Sequence, residues 1–286
     1  MKDVSTSIRG HVAGPVPGHG SAPSSLDCET SFQKIAKSCV HLVQGNRRSA
    51  IAADPEAIHA MRMELTRLRA AVLFFSPMVK DAAWPPIRKE LSWLNSALGK
   101  ARDHDVTVNY TRRKRYRSWA KRSRRAIVRV QEKAHRGLAK KLDSTRYDRL
   151  IAALNHWITS GSWLQNDQAF RSERFDLYSQ ARLCQWRTEI GRKGRHLRTL
   201  RRKQLHRLRI QCKRYRYMVA ALQLLRVNLS EQDLAFGEAA KQVHRVLGDL
   251  RDLRRLRKTV QRRPPYYRKS KRKLLRQAEK AFRRAP

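Results

Sequence analysis

The feature that most restricts how this chain can fold is a repeat. Ile58 to Arg69 (IHAMRMELTRLR) aligns without gaps on Leu205 to Arg216 (LHRLRIQCKRYR), setting His59 on His206, Arg62 on Arg209, Arg67 on Arg214 and Arg69 on Arg216. Farther on in each half, at near-equal spacing, Leu98-Gly99-Lys100-Ala101-Arg102-Asp103 matches Leu247-Gly248-Asp249-Leu250-Arg251-Asp252. Two separate matches in one order imply a duplicated unit. Each copy is expected to bury its apolar faces against the other, so that the halves share one core.

Both copies of the first motif are amphipathic at the helical period. With His206 as origin and roughly 100° per residue, Arg195, Arg198, Arg202, Arg209, Lys213 and Arg216 fall within about a quarter-turn of it. Leu197, Leu200, Leu208, Cys212, Tyr215, Met218, Val219 and Leu222 fall opposite. Read as one helix, Arg195 to Arg216 extends about 30 Å at roughly 1.5 Å per residue and presents a cationic track. In the first copy His59, Arg62 and Arg69 share a face, with Ile58, Met61, Leu65, Leu68, Val72 and Phe75 largely opposite. A solvated helix normally mixes Glu among its Lys and Arg to form i,i+4 pairs. There is no Asp or Glu between Glu189 and Glu231, so the counter-charge is expected from outside the chain.

Composition points the same way. Lys and Arg number 65 against 23 Asp and Glu, a net charge of +42. Such a charge repels itself in the compact state and attracts polyanions. Nucleic acid, an anionic membrane or an inorganic polyanion therefore head the list of partners, ahead of small neutral substrates. With 286 residues, 41% of them hydrophobic, the chain can build a substantial core. Cys28, Cys39, Cys184 and Cys212 form no C-x-x-C pair and no zinc-like spacing, which suits reduced thiols in a cytoplasmic protein. No apolar run approaches the roughly 20 residues of a membrane span, and no apolar signal core opens the chain.

The chain reads as all-α. Residues 1–28, rich in Gly, Pro, Ser and His, read as a disordered lead. A first helix carries Phe32, Ile35, Ala36, Cys39, Leu42 and Val43 and stops near Gly45 and Asn46. Asp54, Pro55 and Glu56 are start signals for a second, which Ser76 and Pro77 end. A third begins after Trp84-Pro85-Pro86 and runs past Val108 into a stretch with no acid between Asp105 and Glu132. A helix over about 146–158 leads to a polar connector over 160–168. Phe175 to Ile190, the basic stretch and Glu231 to Val260 then resemble the first half again. The expected organisation is a compact helical domain over 29–262, with halves of about 30–159 and 170–262, and a basic tail over 263–286.

Glycine inside a helix costs about 0.5–1 kcal/mol relative to Ala, so Gly99 and Gly248 at one place in both copies suggest close helix contact. Asp103 and Asp252 stand beside Arg102 and Arg251 and are expected either to hold guanidinium groups in position or to make solvated salt bridges. Tyr215 belongs to the core face, and Tyr217 is expected to be exposed. Arg offers planar, bidentate donors to phosphate and Lys a compact charge, so two such faces turned to one groove suit an extended phosphate chain. Histidine among so many arginines should lose its proton easily and regain it beside a bound polyanion.

His59-x-x-Arg62 with Arg67-Leu68-Arg69, Leu98-Gly99-x-x-Arg102-Asp103-x-Asp105-Val106, and His206-x-x-Arg209 with Lys213-Arg214-Tyr215-Arg216-Tyr217 resemble the CHAD family, the conserved-histidine α-helical domain. The resemblance covers about 30–262 and implies two pseudo-symmetric antiparallel four-helix halves around a basic central groove or pore that binds inorganic polyphosphate. By position it implies phosphate contacts from His59, Arg62, Arg67, Arg69, Arg102, His206, Arg209, Lys213, Arg214 and Arg216. Arg195, Arg198 and Arg202 extend the second stripe beyond the family's motif. Thr66 departs from it, standing where the second copy has Lys213 and where the family has a base.

The expected function is thus a polyphosphate-binding protein that targets or organises polyphosphate granules in the cytoplasm. The alternative is a nucleic-acid-binding protein, for which no zinc-finger, bZIP or RNP-like signature is present and few aromatic platforms are available. Weak non-specific nucleic-acid binding is compatible with the charge. No catalytic constellation, metal site or cofactor motif is recognisable, and the E-x-E-x-K signature of a triphosphate-tunnel domain is absent. The chain is expected not to be an enzyme, with a phosphohydrolase of unrecognised acids as a third reading.

Overall fold

The computed structural model describes residues 26–165, 168–195, 197, 199–260 and 267–283. Its helices are α1 (Cys28–Gly45), α2 (Arg47–Ile51), α3 (Pro55–Phe74), α4 (Ser76–Val79), α5 (Trp84–Arg112), α6 (Lys114–Arg117), α7 (Arg124–Leu142), α8 (Thr145–Ser160), α9 (Gln168–Arg171), α10 (Phe175–Arg195), α11 (Arg202–Leu224), α12 (Glu231–Val260) and α13 (Tyr267–Arg283). Among the described residues no strand forms, only an isolated bridge between Asp27 and Arg174. The lead over 1–25 lies outside the described residues. Asp27 already caps α1, its side chain accepting from Thr30 N at 2.7 Å.

Local signals place the main helices. Asp54 caps α3 by accepting from Glu56 N at 2.9 Å, with Pro55 at the first helical position, where its missing N–H costs nothing. Ser144 caps α8. Asp81 organises the entry to α5: Oδ1 accepts from Ala83 N, Trp84 N and the Trp157 indole, and Oδ2 from Ser162 Oγ and Trp163 N.

α1, α3, α5 and α8 pack around one interior, and α10, α11, α12 and α13 around another. The two sets meet where α3 packs on α11 and α5 on α12, and a single large cluster of buried apolar side chains runs through both. At the junction Phe74, the last residue of α3, and Phe75, which follows it, meet Phe175, Tyr178 and Trp186 of α10, with ring centroids 5.4–5.7 Å apart. Tyr178 Oη and Arg182 donate to the Phe74 carbonyl, and Arg182 also to Leu73 O. They satisfy carbonyls that the end of α3 would otherwise leave unpaired. The basic tail forms α13, which packs on α12 and α10 and buries Ala278 and Ala281.

Two stretches differ from the sequence expectation. The basic stretch opening at Arg195 is not one helix: α10 ends at Arg195 and α11 begins at Arg202. Between them Leu197 turns into the core, 1% exposed, and Gln204 Oε1 accepts from Arg201 N at 2.7 Å to start α11 afresh. Burial of one leucine at a corner outweighs the helix propensity of the arginines around it. The acid-free segment after Val108 also turns back on itself. α7 packs along α5 through Ile127, Ala134, Leu138 and Leu142, and buried Asp105 accepts from Gln131 Nε2 at 2.8 Å and meets His135 Nε2 at 2.7 Å.

Candidate functional site

The helices α3, α5, α11 and α12 converge on a cavity of about 890 Å³. Of the residues named from sequence, His59 and Arg62 of α3, Arg102 of α5, and Arg209, Lys213 and Arg216 of α11 line it. Residues of α12 complete the wall: Arg251 and Asp252, which the second repeat match marks, and Glu238, Lys241, His244 and Arg245, which sequence reasoning did not single out. The cavity thus holds eight Lys and Arg against two acids.

A second cavity of about 850 Å³, lined by Arg202, His206 and Arg209 of α11 and by Arg251, Arg254, Arg255, Arg257 and Lys258 of α12, adjoins the first. Arg209 and Arg251 line both. The cationic surface therefore continues along α11 and α12 through these two side chains, and α12 contributes as much of it as α11.

The remaining candidates are dispersed. Arg67 pairs with buried Glu64 at 3.2 Å and is absent from both cavities. Arg69 is half-buried, its guanidinium pKa lowered first by burial and then by Arg88. Arg214 is lowered by burial and by Arg69, and it lines a small cavity of about 220 Å³ beside Glu189 and Gln211. Arg195 lines a separate cavity between α10 and α13, with Phe282. Arg198 lies outside the described residues. The continuous track from Arg195 is thus broken, because the chain turns between 195 and 202.

Aspartates hold the arginines across the helix interfaces. Asp103 Oδ2 accepts from Arg255 Nη2 at 2.7 Å, and its Oδ1 stands 3.5 Å from Arg62 Nη1 and from Arg251 Nη2. Asp252 lies 3.2 Å from Arg251 Nη2 and 3.6 Å from Arg255 Nη1. Arg102, the sequence neighbour of Asp103, instead faces Glu56 and the Pro55 carbonyl. The repeated glycines serve the same arrangement. A Cβ on Gly99 would lie 3.5 Å from Arg62 Nη1, and one on Gly248 3.5 Å from Arg209 Nε and Nη2. The close contact expected at these glycines is between helix backbone and a guanidinium group.

Burial and like charge dominate the electrostatics of the cavity. Burial, then Arg251, pulls the Arg209 pKa down to about 10. Lys213 is pulled to about 7, by burial first and then by Arg62, Arg209, Arg216 and Arg251. His244 is lowered to about 2 by burial first and then by Arg209, Arg216, Lys213 and Arg251. His59 and His206 are lowered as well, burial leading and arginines following. Arg209 Nε and His244 Nε2 are buried without a hydrogen-bond partner.

Tyr217, expected to be exposed, is 6% exposed, with Arg216 Cζ 4.7 Å and Lys213 Nζ 5.5 Å from its ring centre. Its ring supports the cations and offers no open face for stacking a base. Tyr215 is fully buried, as its place on the core face implies, and donates to Asp233 at 2.8 Å.

The CHAD domain family model matches residues 34–261. The chain belongs to the CHAD domain family. That family is known for polyphosphate binding in general. The crystal structure of the CHAD domain from the plant Ricinus communis is similar to this CHAD protein over 94% of this chain and 99% of its own, at 24% identity and a TM-score of 0.73, a likeness of fold. No curated protein matches the chain. Among the described residues no helix is long and apolar enough to cross a membrane, and no group of three or more His, Cys, Asp and Glu could hold a metal ion.

Proposed function

We propose that this CHAD protein binds inorganic polyphosphate in the cavity between α3, α5, α11 and α12. The observation that carries the reading is the imbalance of charge there: eight Lys and Arg against two acids, with Asp252 engaged by Arg251 and Glu238 by Lys241 at 3.0 Å. The self-repulsion and burial that lower Lys213, Arg209 and Arg62 oppose folding in the free protein. A bound polyanion relieves them and stabilises the folded state. A chain of phosphates carries charge at every unit without bulk. A nucleic-acid base finds no stacking platform there, since Tyr217 is already covered by cations.

His59, Arg62, Arg102, Arg209, Lys213 and Arg216 are the proposed contacts of the first cavity. Arg202 and His206 extend the path into the second. The role we assign is non-catalytic, in the cytoplasm, where affinity for the polymer would target the protein to polyphosphate granules or organise them.

Competition at controlled salt tests the reading, since counterion release makes every such affinity salt-dependent. Long-chain polyphosphate should resist displacement by duplex DNA at equal phosphate concentration; displacement would favour a nucleic-acid-binding protein. Replacing Arg209 and Arg216 by Ala should weaken binding far more than replacing exposed Arg112 and Arg113. Equal losses would mean that overall charge, and no particular cavity, does the binding. Release of orthophosphate on incubation with polyphosphate and magnesium would replace the binding role with a hydrolytic one.

A further inference from the structure

Lys213 stands where the two aligned segments touch. Its Nζ donates to Thr66 Oγ1 at 2.9 Å, and Thr66 occupies in the first segment the place of Lys213 in the second. The Thr66 hydroxyl donates in turn to Arg62 O at 2.8 Å, leaving its oxygen lone pairs for the lysine. Lys213 is thus held by a neutral acceptor that serves an amine as well as an ammonium.

The charges around it are one-sided. Arg62 of α3, Arg209 and Arg216 of its own helix, and Arg251 of α12 act on Lys213 with the same sign. His59 of α3 and His244 of α12 line the same cavity and are themselves driven toward neutrality by burial and by these cations. The acids of the surrounding helices are taken. Asp103 of α5 and Asp252 of α12 hold Arg62, Arg251 and Arg255, Glu238 of α12 holds Lys241, and Glu189 of α10 holds Lys193. A second base at position 66 would stand against Lys213 itself, and the threonine spares it that further like charge.

We propose that Lys213 is a proton-coupled phosphate contact: a neutral amine in the free cavity at mildly alkaline pH, it becomes an ammonium as a phosphoryl oxygen arrives, so that loading the polymer takes up a proton. The inference rests on the polyphosphate reading and adds to it one residue and one stoichiometry. The amine nitrogen gains a proton from solvent, and the N–H so formed donates to the phosphoryl oxygen; no other bond changes. Because the free-state value is about 7, affinity falls with rising pH above it, by up to about tenfold per unit, until the bound lysine also titrates. The histidines are neutral in the free cavity throughout that range.

The test is titration calorimetry of the full chain with long-chain polyphosphate from pH 7.5 to 9.0 at fixed ionic strength, in buffers of different ionisation enthalpy. The expected result is a loss of affinity of up to roughly 30-fold across the range, with up to one proton taken up per site. Lys213→Arg, which stays cationic throughout, should flatten the slope and abolish the uptake. Lys213→Met should bind more weakly than the natural chain at pH 7.5 and nearly equally at pH 9.0. A pH-independent affinity in the natural chain, or a slope retained in Lys213→Arg, would overturn this proposal and leave polyphosphate binding standing. Absence of binding at every pH would remove both.

Discussion

Asp103 of α5 receives the Arg255 guanidinium of α12 at 2.7 Å and stands 3.5 Å from Arg62 of α3. One carboxylate on the first set of helices therefore anchors arginines from both sets beside the cavity. Asp103→Asn should leave three guanidinium groups facing each other with less compensation. Since Asp103 retains 31% side-chain exposure, solvent softens the loss, and about 1–2 kcal/mol of stability is expected to go. Polyphosphate should restore more stability to the variant than to the natural chain, because it supplies the missing charge. Urea unfolding with and without the polymer measures both, and a variant as stable as the natural chain would show that Asp103 is an ordinary solvated pair.

Gly248 tests whether Arg209 must lie flat on the α12 backbone. An added Cβ would sit 3.5 Å from the guanidinium, an ordinary van der Waals distance, so Gly248→Ala should fold, gain up to about 1 kcal/mol of helix stability and keep its affinity. Gly248→Leu has no room beneath the guanidinium and should displace it, with at least a tenfold loss of polyphosphate affinity at retained helicity. Circular dichroism and calorimetry separate the two effects. Undiminished affinity in the leucine variant would mean that Arg209 binds from another position.

Away from the site, Asp81 is the carboxylate with most to lose. Its two oxygens accept five hydrogen bonds, two of them from the N–H groups of Ala83 and Trp84 at the entry to α5 and one from the Trp157 indole. Asp81→Ala should cost about 3 kcal/mol or more, since charged acceptors make the stronger hydrogen bonds and the donors left behind are partly buried. Denaturant titration reads this directly; a loss below about 1 kcal/mol would mean that water replaces the carboxylate.

How much of this was legible in the sequence can be judged from particular residues. Asp54, Pro55 and Glu56 mark the start of α3 by local chemistry alone, and α12 spans Glu231–Val260 as its apolar period implies. The helical wheel identified Arg62, Arg209, Lys213 and Arg216 because they share a face with the motif histidines. Arg67 and Arg214, which the resemblance names, and Arg69, which the wheel names, line neither of the two cavities, since an angle on one helix does not say which neighbour that edge meets. The break after Arg195 has Gly194 just before it, a glycine that packs against Phe282, but no Gly or Pro lies between Arg195 and Arg202; Leu197 makes the turn by burial. His244 was missed although its signal was present: His244, Gly248 and Arg251 stand at i, i+4 and i+7 on one face of α12. The burial of Tyr217 depends on tertiary packing, which no local pattern encodes.

The cavity histidines predict how the free protein responds to acid. His59, His206 and His244 all have pKa values below the ordinary histidine range, with burial the leading cause, and His244 lies at about 2. For such a group the unfolded chain binds a proton that the folded chain refuses. Its stabilising contribution is therefore complete above about pH 6.5 and is lost progressively as pH falls toward the folded value. One unit below 6.5, His244 alone should account for about 1 kcal/mol. Lys213 acts in the same sense at higher pH: between about 7 and its unfolded value near 10.4 the unfolded chain holds the extra proton, so stability rises with pH there too. The melting temperature of the ligand-free protein should accordingly climb between pH 5.5 and 8. His244→Gln should lessen the climb below 6.5 by about 1 kcal/mol in the corresponding unfolding free energies. Saturating polyphosphate should flatten it, because the bound anion lets the same groups carry their protons. A ligand-free melting temperature that falls as pH rises over this range would mean that the histidines are paired with acids in solution and that the cavity is less cationic than its geometry implies.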